Sequence, residues 1–312
     1  MSILDKIATQ RRQDVALAKT KTTLQTLQSL ITELDTRQSP PLNLHTIIQQ
    51  GSIGNPQISL AAEFKRASPS KGDIATDLDI ATQITTYANA GASVVSVLTE
   101  PKWFKGSLKD LQAARLAVEN QANTNATLQT ASAPSQPSRR VAVLRKDFIV
   151  DEYQIYEARA YGADTLLLIV AILSDSELTS LILKARELGM EPLVEVNSVS
   201  ELTRALLCNA LVIGVNNRNL HTFQVDLETT SRVADAITTQ KLTNQKGEVR
   251  KIKLEIIQRG SCSLSLLYSD IFWSPILSLI VFFLKTSQLS KHKLKTVITN
   301  CFESVSLFTI LI

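Results

Sequence analysis

From about residue 59 to residue 233 the chain repeats one pattern: a short β-branched or aliphatic run, a polar turn, then an amphipathic stretch. This is the signature of βα units. The apolar runs begin near Ile58, Ser93, Val141, Thr165, Pro192 and Leu211, at spacings of 35, 48, 24, 27 and 19 residues. All but the second fit a strand, a helix and two loops. The long interval holds Asn120 to Arg139, rich in Gln, Asn, Thr, Ala, Ser and Pro with no apolar period. It reads as a flexible surface insertion. Helix ends are marked: Asp79 precedes Ile80, Ile84, Tyr87 and Ala88 on one face, and Gly91 closes the stretch. Ser174 with Glu177 and Ser198 with Glu201 have capping-box spacing.

Ahead of the first strand, Ile3, Ile7, Val15 and Leu17, then Leu24, Leu27, Leu30 and Ile31, predict a helical pair from residue 2 to about residue 35, ended by Pro40 and Pro41. Such an extension is expected to cap one end of a barrel, with a docking arm as the alternative. Six βα units fit either a (β/α)8 barrel lacking its end or a doubly wound sheet. In a barrel, reactive residues recur at the carboxyl ends of several strands. A doubly wound nucleotide binder carries one glycine-rich loop after its first strand, and no GxGxxG is present.

Composition narrows the class. With 312 residues, 44% hydrophobic and 20% charged, the chain can bury a large core, which excludes disordered, collagen-like and disulfide-stapled proteins. Cys208, Cys262 and Cys301 are distant and odd in number, so they give neither a disulfide framework nor a zinc ligand set. The early charges Asp5, Lys6, Arg11 and Arg12 leave no apolar secretion signal, and a cytoplasmic location is expected.

Charge is uneven. Residues 246–312 carry nine Lys/Arg and four Asp/Glu, a net of +5 against +4 for the whole chain, so the remainder is −1. A nucleic-acid role for the main body therefore gains nothing from electrostatics. Seven of the sixteen aromatic residues also fall in this tail, where 264–284 is mostly apolar and long enough to cross a bilayer. The expected organisation is a helical extension over 1–55, six barrel units over 56–245 and a divergent hydrophobic and basic tail over 246–312.

Polar residues gather at the strand ends. Glu63 and Lys65 alternate at the end of the first strand and so share a face, here the interior. A buried ion pair is costly unless fully paired or at work on a ligand, and a purely structural pair would look the same from sequence. Four apolar residues, Val141 to Leu144, run into Arg145-Lys146-Asp147, placing Lys146 at the barrel mouth, suited to proton donation. Arg145 and Asp147 read equally well as solvated loop charges. Glu195 is a carboxylate within the apolar run Pro192 to Val196. The sixth run ends in Asn216-Asn217-Arg218-Asn219, which is also ordinary turn chemistry. His45, His221 and His292 lie at no strand end, and there is no metal triad or Ser-His-Asp set, so lysine and glutamate are expected to handle protons.

At these residues the sequence resembles indole-3-glycerol phosphate synthases, (β/α)8 enzymes of tryptophan biosynthesis. The likeness runs from about residue 2 to residue 233. It rests on EFKRASPSKG (63–72), LTEPKWFKGS (98–107), VLRKDFIVDEYQI (143–155), DTLLLIVAIL (164–173), EPLVEVNS (191–198) and IGVNNRNL (213–220). The resemblance implies ring closure of 1-(2-carboxyphenylamino)-1-deoxyribulose 5-phosphate with loss of carbon dioxide and water, a carbon–carbon lyase needing no cofactor and no metal. It implies Lys146 as general acid on the ribulose carbonyl. Lys65 would hold the anthranilate carboxylate or donate the later proton, and Glu195 would be the acid/base of dehydration. Glu63 would orient the lysines and substrate hydroxyls, and Asn216 would hydrogen-bond the intermediate. Phe104 and Leu168 would form apolar wall around the aromatic ring. Arg218, Ser68 and Ser70 would contact the substrate. Fusion to other tryptophan-pathway domains is also implied.

The likeness stops short of a whole barrel. The family continues with a Ser-Gly segment after strand seven and a Gly-rich segment after strand eight, which hold the substrate phosphate; neither motif is present. The expected fold is thus α/β, a TIM barrel with an N-terminal helical extension, incomplete because strands seven and eight are not recognisable. The tail reads best as a segment not descended from the barrel, with an unusual barrel closure or a membrane tether through 264–284 as alternatives. For the chain as written, weak or absent turnover is expected, and a non-catalytic barrel fragment is the rival reading.

Overall fold

The computed structural model describes residues 2–50, 59–129, 140–218, 226, 228–239, 255–256, 280–282 and 284–285. The chain opens with helices α1 (Ile3–Lys21), α2 (Leu24–Arg37) and α3 (Leu44–Gln50). Ser2 and Asp5 form a reciprocal capping box at the start of α1, and the Thr23 hydroxyl accepts from the Thr26 N–H to start α2. Six strands follow, β1 (Leu60–Phe64), β2 (Val94–Leu98), β3 (Ala142–Lys146), β4 (Thr165–Ile169), β5 (Leu193–Val196) and β6 (Val212–Val215). Between and after them come α4 (Ile80–Asn89), α5 (Leu108–Gln129), α6 (Glu152–Ala160), α7 (Asp175–Glu187), α8 (Val199–Leu207) and α9 (Glu228–Thr239).

Each strand pairs in parallel with the next in sequence. A doubly wound sheet reverses its strand order at a switch point. This sheet does not reverse; it is the half-barrel of a (β/α)8 fold.

Strand alternation divides the sheet into two apolar faces. Ala62, Val95, Val143, Leu168, Val194 and Ile213 face outward and pack on the buried stripes of the helices, including Ile84, Leu111, Ile155, Leu178 and Leu202. Ala61, Val94, Ala142, Leu144, Leu167 and Leu193 face inward and pack with Leu4 and Ile7 of α1 and Leu44, Ile47 and Ile48 of α3. Each such Leu or Ile, fully buried, contributes about 1.5–3 kcal/mol.

The N-terminal extension therefore covers both ends of the half-barrel rather than one. At the amino end, Ser59 Oγ donates to Ile48 O at 3.2 Å, and Leu42 N donates to buried Asp164 at 2.8 Å. Asp164 also accepts from Arg115 at 3.0 Å and from Arg140 at 2.7 and 2.8 Å, so the two guanidiniums compensate its charge. At the carboxyl end, α1 crosses the loops after β2 and β3: Lys102 Nζ donates to Gln10 Oε1 at 3.2 Å, and Arg11 Nε donates to Asp147 Oδ1 at 3.0 Å.

Two expectations need correction. Asn120 to Gln129 is the last part of α5, not a loop. A helix already nucleated at Leu108 extends at little cost per residue through Ala, Gln and Asn. The rest of the expected insertion, 130–139, lies outside the described residues. Arg145 and Asp147 are fully buried rather than solvated.

Beyond α9, β7 (Ile280–Phe282) lies antiparallel on the free edge of β1, with Ala61 opposite Val281, and Glu255–Ile256 pairs with Leu284–Lys285. An eighth barrel strand would run parallel to β1. Among the described residues no parallel strand follows β6. Most of the apolar stretch 264–284 lies outside the described residues; no helix among those described is long and apolar enough to cross a membrane.

Candidate active site

Glu63 stands at the inner carboxyl end of β1 and is 1% exposed. Lys65 Nζ donates to its Oε1 at 3.0 Å, and Lys146 Nζ donates to its Oε2 at 2.8 Å. The strand register explains the reach. Glu63 is level with Ser96 on β2, and Ser96 with Leu144 on β3, so Lys146 sits one inward position further along and spans β2 to arrive from above. Burial alone would raise the Glu63 carboxyl, but the Lys146 and Lys65 ammoniums outweigh it and hold the group at about 2. Glu63 is therefore ionised at neutral pH and binds both lysines in one place.

Glu195, 4% exposed, projects from the inner face of β5. Its Oε1 accepts from Asn216 Nδ2 at 2.9 Å, while Oε2 has no partner among the described residues. A buried oxygen left so costs about 1–3 kcal/mol, which a bound ligand can recover. Asn216 is held in turn, its Oδ1 accepting from Arg218 N at 3.0 Å. Arg218 Nη1 reaches Ser70 Oγ at 3.4 Å, joining the loop after β6 to the hairpin after β1 formed by Ala67–Ser68 and Gly72–Asp73. Ser68 is half-buried in that hairpin.

The loop after β2 supplies apolar wall. Buried Glu100 accepts from the backbone N–H groups of Lys102, Trp103 and Phe104 at 2.9, 2.7 and 2.9 Å, turning both aromatic rings onto the inner cluster. The Phe104 ring lies 5.9 Å from that of Phe148. Leu168 does not join them: it faces the helices with Val194. Leu167 and Ile169 take the inward positions. The run Thr165 to Val170 is apolar at nearly every position, so its phase on the sheet cannot be read from the sequence.

The site thus brings together Glu63, Lys65 and Lys146 in one cluster, Glu195 and Asn216 in a second, and Arg218 with Ser70 at the rim. Sequence reading missed the support beneath Lys146. Asp147 accepts from Arg145 at 3.0 Å, from Arg11 at 2.9 and 3.0 Å and from Thr99 at 2.6 Å. Burial would raise the Asp147 carboxyl, yet Arg145 and Arg11 keep it below the usual carboxylate range. Helical spacing offered one clue, since Arg11 lies on the same face of α1 as Ile7 and Val15. Ser96 was missed as well: it is 8% exposed, faces inward beside Glu63, and its Oγ has no partner among the described residues.

Among the described residues no group of three His, Cys, Asp or Glu could hold a metal ion. The arrangement offers ammonium donors, one ionised carboxylate that places them, and a second carboxylate with a free oxygen. That set suits proton transfer to and from a carbonyl-bearing anionic substrate.

The family model described as indole-3-glycerol phosphate synthase matches residues 4–247. Over 237 residues the chain is 52% identical to a multifunctional tryptophan biosynthesis protein of Schizosaccharomyces pombe, covering 76% of this chain and 28% of that protein. It is 44% identical to an indole-3-glycerol phosphate synthase of Kineococcus radiotolerans, covering 76% of this chain and 77% of the relative. With a similar enzyme of Dehalococcoides mccartyi the identity is 41%, over 75% and 81%. The chain spans little more than a quarter of the multifunctional relative's length, but most of the length of the two bacterial ones. Its parallel half-barrel, its paired lysines on one buried glutamate and these matches agree: the chain belongs to the indole-3-glycerol phosphate synthase family.

Proposed function

We propose that this site closes the indole ring of 1-(2-carboxyphenylamino)-1-deoxyribulose 5-phosphate, releasing carbon dioxide and water. The observation that carries the reading is the single ionised carboxylate, Glu63, holding two ammonium groups at 2.8 and 3.0 Å at the mouth of a buried bowl. In this reading Lys146 protonates the ribulose carbonyl as the aryl carbon attacks. Lys65 holds the anthranilate carboxylate or gives the later proton. Glu195, with one oxygen free, exchanges the protons of dehydration, and Asn216 fixes both that carboxylate and the intermediate. Phe104 walls the aromatic ring, with Leu167 and Ile169 in place of Leu168. Arg218, Ser68 and Ser70 face the anionic end of the substrate.

Residues 1–55 act in this proposal as the helical extension, 56–245 as the barrel units, and 246–312 as a tail without the two phosphate-holding loops. Turnover by the chain is then slow, because the sequence lacks the two motifs whose backbone N–H groups would hold the phosphate. The multifunctional relatives support a chain that works fused to further tryptophan-pathway domains. Incubating the full chain with the substrate and following indole fluorescence and carbon dioxide release tests the reading. Slow formation of both products is expected; a chain that yields neither above the buffer rate would sink it, and a rate typical of the bacterial enzymes would sink the part assigned to the tail.

A further inference from the structure

The inner face of the half-barrel holds a hydroxyl that the proposed reaction does not use. Ser96 is level with Glu63 on the neighbouring strand, its side chain turned to the same face. Adjacent strands lie about 5 Å apart, so the hydroxyl and the carboxylate are separated by little more than their own side chains. Ser96 Oγ is cut off from solvent and has no hydrogen-bond partner among the described residues. Native interiors rarely leave a donor in that condition.

Glu63, by contrast, is fully engaged, but with partners that the proposed reaction must borrow. Among the described residues charged groups reach it from two places: Lys65 from its own strand segment and Lys146 from β3. The Tyr87 hydroxyl of α4 donates at 3.4 Å to the Glu63 backbone carbonyl, not to the carboxylate. For Lys146 to reach a substrate carbonyl, its Nζ must leave Glu63 Oε2. A buried carboxylate that loses an ammonium partner gains a strong tendency to take up a proton. It would then compete with the substrate for the proton that the lysine is meant to deliver.

We infer that Ser96 is the positioning residue that prevents this: when Lys146 turns to substrate, the Ser96 hydroxyl rotates to donate to the vacated Glu63 oxygen. A serine hydroxyl has three staggered positions about its one side-chain bond, so it can be re-aimed without moving the strand. The inference rests on the reading in which Lys146 serves the substrate, but its test does not need turnover.

The test is a carboxyl 13C NMR titration of Glu63 in four full-length proteins: wild type, Ser96→Ala, Lys146→Met and the double variant, with Glu63→Gln assigning the signal. Lys146→Met stands for the departed ammonium, and Lys146→Gln serves if the methionine variant does not fold. Ser96→Ala alone is expected to leave the Glu63 titration nearly in place. In the Lys146→Met background it should raise the titration by about one unit, since the hydroxyl is then the donor at that oxygen. An equal shift in both backgrounds, or none in either, overturns the inference. If the wild-type chain forms no product while this coupling appears, the proposed reaction fails and only the Ser96 to Glu63 hydrogen-bond exchange stands; product formation without coupling overturns the inference and leaves the reaction.

Discussion

Lys146 Nζ donates to Glu63 Oε2 at 2.8 Å across an intervening strand, while Lys65 holds the other oxygen of the same carboxylate. Two cations that would repel each other are thereby placed side by side within reach of one substrate. The carboxylate settles the positions of both ammoniums before any substrate arrives, and one of those contacts has to be exchanged when Lys146 turns to its target.

Lys146→Met tests the acid role. Removing a positioned proton donor typically costs about 10²–10⁴ in rate, and kcat should fall within that range with KM changing far less. Indole fluorescence measured at saturating substrate checks it. Unchanged kcat would remove Lys146 as the acid.

The Glu63 carboxyl also couples stability to acid. Its folded-state value of about 2 lies below the ordinary 4.5, so the group stabilises the folded chain fully above pH 4.5, and that contribution is lost as pH falls toward 2. Glu63→Gln should therefore unfold at lower urea concentration than wild type at pH 7, with the gap narrowing as pH is lowered from about 5 to 2. A gap that stays constant over that range would contradict the assigned ionisation.

Much of this was legible in the sequence, and the rest was hidden for identifiable reasons. The six strand runs, the capping signals at Asp79 and Ser174, and the alternation of Glu63 with Lys65 depend on neighbours in sequence, and the structure places them as read. At Ser198 the agreement is partial: its hydroxyl accepts from Glu201 N, but the Glu201 carboxylate turns to the N–H of Asn197. Leu168 was misplaced because a uniformly apolar strand has no visible phase. Arg145 and Asp147 read equally well as solvated charges because the partner that makes their burial tolerable, Arg11, lies 136 residues from Asp147. No local pattern reports a partner at that distance.

That distant pair gives a stability prediction. Asp147→Asn leaves the buried guanidiniums of Arg11 and Arg145 short of charge, and breaking a buried pair in this way costs about 3–5 kcal/mol; Glu157 and Asp14 remain to Arg145 and Arg11, so the low end is expected. Arg12→Ala removes an exposed bridge to Glu177 and should cost less than about 1 kcal/mol. Urea unfolding of the two variants checks the contrast, and similar midpoints would show that the Asp147 network is not what fixes α1 to the barrel.

Neighbouring residues 105 and 106 should respond to substitution in opposite ways. A Cβ built on Gly106 would overlap the Leu98 carbonyl, a backbone atom of β2 that cannot step aside. Gly106 N also donates to Glu100 O at 2.9 Å, so the loop bearing Trp103 and Phe104 is closed on itself just beyond β2. Gly106→Ala must therefore move the loop, at a cost of about 1–3 kcal/mol in stability. Displacing Phe104 from the bowl should raise KM about tenfold or more, since one lost apolar contact is worth that much discrimination. Lys105 has a left-handed backbone, φ 53°, and an exposed ion pair with Asp73. Lys105→Gly relieves the first and loses the second, two small effects of opposite sign, so its unfolding midpoint should stay near wild type. Thermal unfolding and substrate titration of both variants decide the matter: a Gly106→Ala protein as stable and as tight-binding as Lys105→Gly would mean that close packing of this loop against Leu98 does not set the aromatic wall.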